Sequence, residues 1–426
     1  MQSNRIRLGI VMKKIDWIIG IIAITAVLFV GSAFGKTDYC IQCHSEMDDS
    51  PKSPAVLIKS DIHYQRGLSC ADCHGGDASK NDAEEAMSPK KGFVGKPSYR
   101  QIPNFCGRCH SDVEYMRKYE PKLRVDQLQL YWTSNHGKML KKGDRRVAQC
   151  VSCHGVHNIK SIKNPQSPVN KINVPATCAK CHADKKYMHK YNIPTDQYAK
   201  YSRSVHGKLL LEKRDTSAPA CNSCHGNHGA TPPGLASISA ACGECHGINR
   251  DLYNKSPHKE PWAELGYRQC VQCHDYHLIK ELTDEDVGVG NNAVCIDCHD
   301  KGDGGYEAAF RIKASLDSLK YDIRIADSIL AKAKKSGADV GELTFELGEA
   351  SKGLIEARNR VHSFSPDVVG EVTSASMQKI NIVIELGNDS LKALWHRKIG
   401  LILTSFLILL VAGLLYLKIR RVEKKK

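Results

Sequence analysis

The run Cys150-Val151-Ser152-Cys153-His154-Gly155-Val156-His157 holds two cysteines, a histidine directly after the second, and another histidine three residues on. Its first five residues form a C-x-x-C-H pattern. The same pattern recurs at Cys40, Cys43 and His44; at Cys70, Cys73 and His74; at Cys106, Cys109 and His110; and at Cys178, Cys181 and His182. It appears again at Cys221, Cys224 and His225; at Cys242, Cys245 and His246; at Cys270, Cys273 and His274; and at Cys295, Cys298 and His299. All 18 cysteines of the chain are used. In this pattern two thiols add to the vinyl groups on one haem edge. The two spacer residues let both sulfurs reach that edge, and the following His lies under the iron as proximal ligand. Zinc sites and redox disulfides also use paired cysteines, but neither needs a His directly after the second one at every pair. The sequence therefore implies nine covalent c-type haems.

The 426-residue chain has only 8 Phe and 8 Met, and Cys40 to His299 gives each motif about 29 residues. That is too little chain for a conventional core, so the haem faces must supply the apolar volume that side chains usually give. The expected fold is mainly α, with little regular structure around a chain of haems. The formal charge is +15. Each haem adds two propionates, and Lys and Arg are scattered except at the termini. The excess is expected to pair with propionates, and no nucleic-acid partner is implied.

The haem region repeats internally. Tyr115-Met116-Arg117-Lys118-Tyr119 matches Tyr187-Met188-His189-Lys190-Tyr191, and Ser134-Asn135-His136-Gly137-Lys138 matches Ser204-Val205-His206-Gly207-Lys208. Each unit closes on a motif with a trailing His, His157 or His228. A shorter unit carries Ser256-Pro257-His258 and the trailing His277, and the opening part carries His63. Recurrence with the same flanks marks these residues as distal iron ligands: His63, His136, His206 and His258 in one class, His157, His228 and His277 in the other. His362, in Arg360-Val361-His362-Ser363, is an unrepeated eighth candidate. For the remaining haem, His189 has Arg117 as its counterpart, whereas Met47 stands three residues after His44. The first haem is therefore the one expected to have a Met ligand or an open position. His396 reads as an interfacial residue.

Two segments read as membrane spans. Trp17 to Gly35 has no charge and follows Arg5, Arg7, Lys13 and Lys14; Ala33-Phe34-Gly35 also fits a cleavage site, and either reading exports the chain. Ile399 to Leu417 is likewise uncharged, and Lys418, Arg420, Arg421, Lys424, Lys425 and Lys426 follow it. The expected plan is a cytoplasmic N-terminus at 1–14, a transmembrane helix at 15–35, and a nonahaem region of two-haem modules at 36–300. A helical tail at 301–398, a second span at 399–417 and a basic cytoplasmic tail at 418–426 complete it. The haem region would face the periplasmic side of the cytoplasmic membrane. In the tail, Ile312, Leu316, Leu319, Ile323 and Leu330, then Leu343, Leu347, Leu354, Ile355 and Val361, keep helical spacing. They predict a C-terminal helical hairpin packed on the last haem, with a third helix from about Val368 toward the membrane.

The first 80 residues resemble the NapC/NirT/NrfH family of membrane-anchored quinol dehydrogenases. The likeness rests on the N-terminal apolar segment, Asp38-Tyr39-Cys40-Ile41-Gln42-Cys43-His44-Ser45-Glu46-Met47, Ser60-Asp61-Ile62-His63-Tyr64, and Gly67-Leu68-Ser69-Cys70-Ala71-Asp72-Cys73-His74. That family commonly has its Met two residues after the motif His; here it is three. The resemblance implies Met47 at the haem nearest the membrane and quinol as the electron source. The rest resembles octahaem cytochromes and the cytochrome c3 family, which include both carriers and reductases. Two functions fit. One is an electron conduit from the membrane to a periplasmic redox protein or reductase. The other is a reductase acting on a small nitrogen or sulfur oxyanion at a five-coordinate haem. All nine motifs end in His and eight have a distal candidate, which favours the conduit.

Overall fold

The computed structural model describes residues 38–234 and 238–423. The span expected at 15–35 lies outside these residues. The chain divides into two compact units, one of Met1–Lys180 with Gly226–Thr231, the other of Cys181–His225 with Pro232–Lys426. Among the described residues all regular structure is helical and there is no strand.

The helices of the haem region are short, and the motifs explain many of them. Cysteines at i and i+3 with His at i+4 share one face of a helical turn. Cys70–His74, Cys150–His154, Cys221–His225 and Cys270–His274 are each helices of five residues. Capping boxes hold two of them: Ser69 with Asp72, and Gln149 with Ser152.

The Ser-x-His-Gly elements have a common build. Ser134 Oγ accepts from Gly137 N (2.9 Å) and donates to Tyr131 O (2.6 Å). Ser204 does the same with Gly207 N (3.0 Å) and Tyr201 O (2.6 Å). A Cβ on Gly137 would lie 2.1 Å from Tyr131 O, and one on Gly207 1.9 Å from Tyr201 O, so only glycine fits. The two tyrosines are buried. Their hydroxyls donate to Ala148 O (3.0 Å) and Pro219 O (2.7 Å), each two residues before the next motif.

The contiguous hydrophobic core lies in the tail. Three helices form it: α1 (Gly304–Lys335), α2 (Gly341–Arg360) and α3 (Pro366–Glu423). Their buried faces follow strict heptads: Ile312, Leu316, Leu319, Ala326, Leu330 and Ala333 in α1; Leu343, Leu347, Ala350, Leu354 and Ala357 in α2; Val369, Thr373, Ser376, Ile380, Val383 and Gly387 in α3. A sustained seven-residue repeat imposes a left-handed coiled packing.

This corrects the expected hairpin. The third helix packs against both of its predecessors, because its small residues Ser376 and Gly387 admit them closely, Gly353 of α2 meeting Ser376 and Ile329 of α1 meeting Gly387. Of the two neighbours Leu354 and Ile355 in the apolar spacing, Leu354 is buried and Ile355 is 60% exposed; Ala350 and Ala357 complete the seam.

Helix α3 continues without a break through 399–417, where its side chains become exposed from Leu401 onward. Among the described residues it is the helix long and apolar enough to cross a membrane.

Candidate haem-binding sites

The histidines face one another in pairs. His63 lies opposite His110, with ring centroids 5.9 Å apart. His74 faces His157 (6.2 Å), His154 faces His228 (6.2 Å), and His206 faces His246 (6.2 Å). His225 faces His277 (5.9 Å), His258 faces His299 (5.9 Å), and His274 faces His362 (6.0 Å). Each pair joins a motif His to a non-motif His.

The separation is nearly constant while the planes range from 2° apart at His154 and His228 to 81° at His258 and His299. Rings in direct contact come closer when parallel. A shared metal axis fixes the distance and leaves rotation free: two metal–nitrogen bonds of about 2.0 Å, plus roughly 1.1 Å from each nitrogen to its ring centre, give roughly 6.2 Å. The residues present thus fit a haem iron between each pair.

The protonation states agree. Burial lowers the basicity of His110, His157, His206, His228, His258, His274, His277 and His362, and holds His154 down at about 4. Neutral imidazole is the ligand form. A zinc site would instead need thiolates and imidazoles converging on one point. Among the described residues no three His, Cys, Asp or Glu side chains converge as such a site requires. The first cysteines of the two motifs within a module lie side by side, Cys106 beside Cys150 and Cys242 beside Cys270. The two attachment sites within each of these modules are therefore adjacent.

Comparison with known proteins points the same way. Residues 62–183 match the family model described as cytochrome c3. Residues 28–75 and 241–319 match the one described as cytochrome c554 and c-prime. A C-type polyheme cytochrome, OmcC, of Geobacter sulfurreducens is 27% identical over 117 residues, which is 27% of this chain and 14% of that protein. The chain thus spans about one seventh of the length of this relative. No solved structure matches it. The chain is a multihaem c-type cytochrome.

The pairing in this cytochrome follows a register that the repeats alone do not reveal. A trailing His serves the even-numbered motif of the preceding module: His157 meets His74, His228 meets His154, and His277 meets His225. His362 meets His274 in the same way, so the tail stands in for a module that would come next. The other class reaches forward, His63 to His110, His206 to His246 and His258 to His299.

A backbone bond couples the two classes. Ile62 N donates to Ile159 O (2.7 Å), Asn135 N to Ala230 O (3.2 Å) and Val205 N to Ile279 O (3.0 Å). The donor precedes the forward-reaching His, and the acceptor lies two residues after the trailing one. In the tail, Phe364 occupies the latter position relative to His362, and its ring packs on His258 at 4.1 Å. The tail was expected to pack on the last haem. It touches two sites, His362 facing His274 of the eighth motif and Phe364 packing on His258, which faces His299 of the ninth, because the short turn Val361–Ser363 and the residue that caps it present both side chains.

The remaining expected residues are placed as follows. His44 and Met47 share the helix Tyr39–Met47, and the Met47 side chain is 77% exposed. His136 sits in the first turn of Asn135–Lys141, as His206 does in its own helix, and is partnered. His189 and His396 are exposed.

Proposed function

We propose that the chain is a membrane-anchored nonahaem cytochrome that carries electrons from the membrane to a periplasmic redox partner. The observation that carries this reading is the pairing register. It supplies a second histidine to motif after motif, which suits electron transfer and leaves no coordination site for a substrate at those positions. The haems, when bound, supply one-electron exchange. The protein supplies neutral imidazoles held by burial, and it sets attachment cysteines of one module side by side. His136 is assigned as a distal ligand on its repeat position. Intact-mass measurement of the purified protein should give the polypeptide plus nine haems; seven or fewer would defeat the count.

The span within α3 supports anchoring. Trp395 and Tyr416 bracket the apolar run, with Arg397 and Lys398 before it and Lys418, Arg420 and Arg421 after it. At 1.5 Å per residue the two aromatic residues are about 32 Å apart, close to the hydrocarbon thickness of a bilayer. With 15–35 as a second span, both ends lie in the cytoplasm and the haem region on the periplasmic face.

Electrons are proposed to arrive at the first motif. Residues 1–39 contain no His, and Met47 is the near candidate for a second ligand of its iron. The motif also begins five residues after the first expected span, and this segment carries the resemblance to quinol dehydrogenases. Met47→His should lower one haem potential, since bis-His ligation lies below His/Met, and should slow reduction by a quinol analogue in membranes. If the titration and the quinol rate both stay as in the parent protein, the quinol reading is wrong.

A further inference from the structure

The forward-reaching histidines share one local design with one departure. The residue two positions before the ligand is Ser134, Ser204 or Ser256, but before His63 it is Asp61. All four are buried, Asp61 at 3% exposure. Each of Ser134, Ser204 and Asp61 caps the helix that bears its histidine, and Asp61 accepts from His63 N at 2.9 Å. The carboxylate does more. His63 Nδ1 donates to Asp61 Oδ1 at 2.8 Å, and Ile159 N donates to Oδ2 at 2.7 Å. Both oxygens are thus engaged, out of solvent, with one fixed on the imidazole.

At the other end of the class, His258 Nδ1 is buried without a hydrogen-bond partner, against the rings of Phe364 (4.1 Å) and Trp262 (5.0 Å). Its ring partner His299 has Nδ1 3.2 Å from Asp303, whose carboxylate is 42% exposed and so screened by water.

We propose that Asp61 is a potential-setting residue: its carboxylate, bonded to His63, makes the haem of Cys106–His110 a stronger-donor, lower-potential site than the haem of Cys295–His299. The inference rests on the assignment of these histidines as iron ligands. A carboxylate that accepts the second ring N–H fixes the tautomer with Nε2 toward the metal and gives the imidazole anionic character. The more basic ligand favours the ferric state, and the buried negative charge acts in the same direction. His258, with nothing to accept its Nδ1 proton, is the weaker donor. Serine at the same position caps the helix equally well but offers no charge. Capping therefore does not explain Asp61.

The test uses the full-length haem-loaded protein with Asp61→Asn, which keeps an acceptor but removes the charge, and Asp61→Ser, which installs the residue of the other modules. Potentiometric titration followed by visible absorption should show one haem moving to higher potential. Its reduction equilibrium should shift about tenfold in the Ser variant, which is 59 mV for one electron, and by less in the Asn variant. The haem mass and the low-spin spectrum should not change. An unshifted titration in both variants would overturn the proposal. So would a high-spin band in Asp61→Asn, since Asp61 would then only hold His63 in place. His63→Ala separates this from a failure of the ligand assignment: a fully low-spin spectrum in that variant would mean that His63 is no ligand.

Discussion

His362→Ala is expected to convert one haem from low spin to high spin and leave the others unchanged. His362 lies in the turn Val361–Ser363 after α2, and its ring faces His274 at 6.0 Å with the planes 8° apart. Its Nδ1 donates to Asn359 O at 2.9 Å, the arrangement that leaves Nε2 as the nitrogen free to bind iron, and Asn249 Nδ2 lies 3.0 Å from Nδ1 and 3.4 Å from Nε2. Alanine removes the proposed ligand and the ring that faces His274 of the eighth motif. The ferric spectrum should gain a high-spin contribution of about one part in nine if every motif is loaded, and a small ligand such as imidazole should restore the low-spin form. His189→Ala is the control: that side chain is exposed and outside the pairs, so the spectrum should not respond. A fully low-spin spectrum in His362→Ala would mean that the eighth iron takes its second ligand elsewhere.

The two residues behave differently under sequence reading for a physical reason. The nine attachment motifs are legible because covalent chemistry demands fixed local spacing, and His63, His206 and His258 are legible because their flanks recur. The pairing is not. His157 and His74 are 83 positions apart in the chain, and nothing local to either names the other. The link is tertiary, made by backbone bonds such as Ile62 N to Ile159 O, for which any residue but proline would serve. His362 stands out weakly because it has no repeat. Only the register shows it to be the terminal member of the trailing class. Asp61 escapes notice because Asp and Ser are equally ordinary helix caps, and only the geometry separates the two roles. In the tail the helices are legible from their large apolar residues, while the α3 face is hidden: Thr373, Ser376 and Gly387 carry no apolar pattern, yet all three are buried, Ser376 close against Gly353 and Gly387 close against Ile329.

Asp284→Ala is expected to loosen the tail from the segment that leads into the ninth motif. Asp284 is 6% exposed and faces two cations from different helices. Arg358 of α2 donates from Nε to Oδ1 and from Nη2 to Oδ2, both at 2.8 Å, and Lys320 of α1 donates to Oδ2 at 3.0 Å. Losing one partner of a fully buried pair costs about 3–5 kcal/mol. Here Arg358 and Lys320 are 44% and 41% exposed and regain water, so the loss should be nearer 2 kcal/mol. The pH dependence carries the same information. The Arg358 guanidinium, with help from Lys320 and against the opposing effect of burial, pulls the Asp284 carboxyl down to about 2. Its unfolded value is about 3.9, so the contribution is complete above that pH and is lost as the pH falls through about 2. Thermal unfolding of the full-length protein, followed by far-UV circular dichroism because α1, α2 and α3 are the long helices, should show the parent losing stability over that window. Asp284→Asn should start lower and respond less to acid across it. Equal acid sensitivity in the two proteins would place the titrating groups elsewhere and leave the apolar seam as the main attachment of the tail.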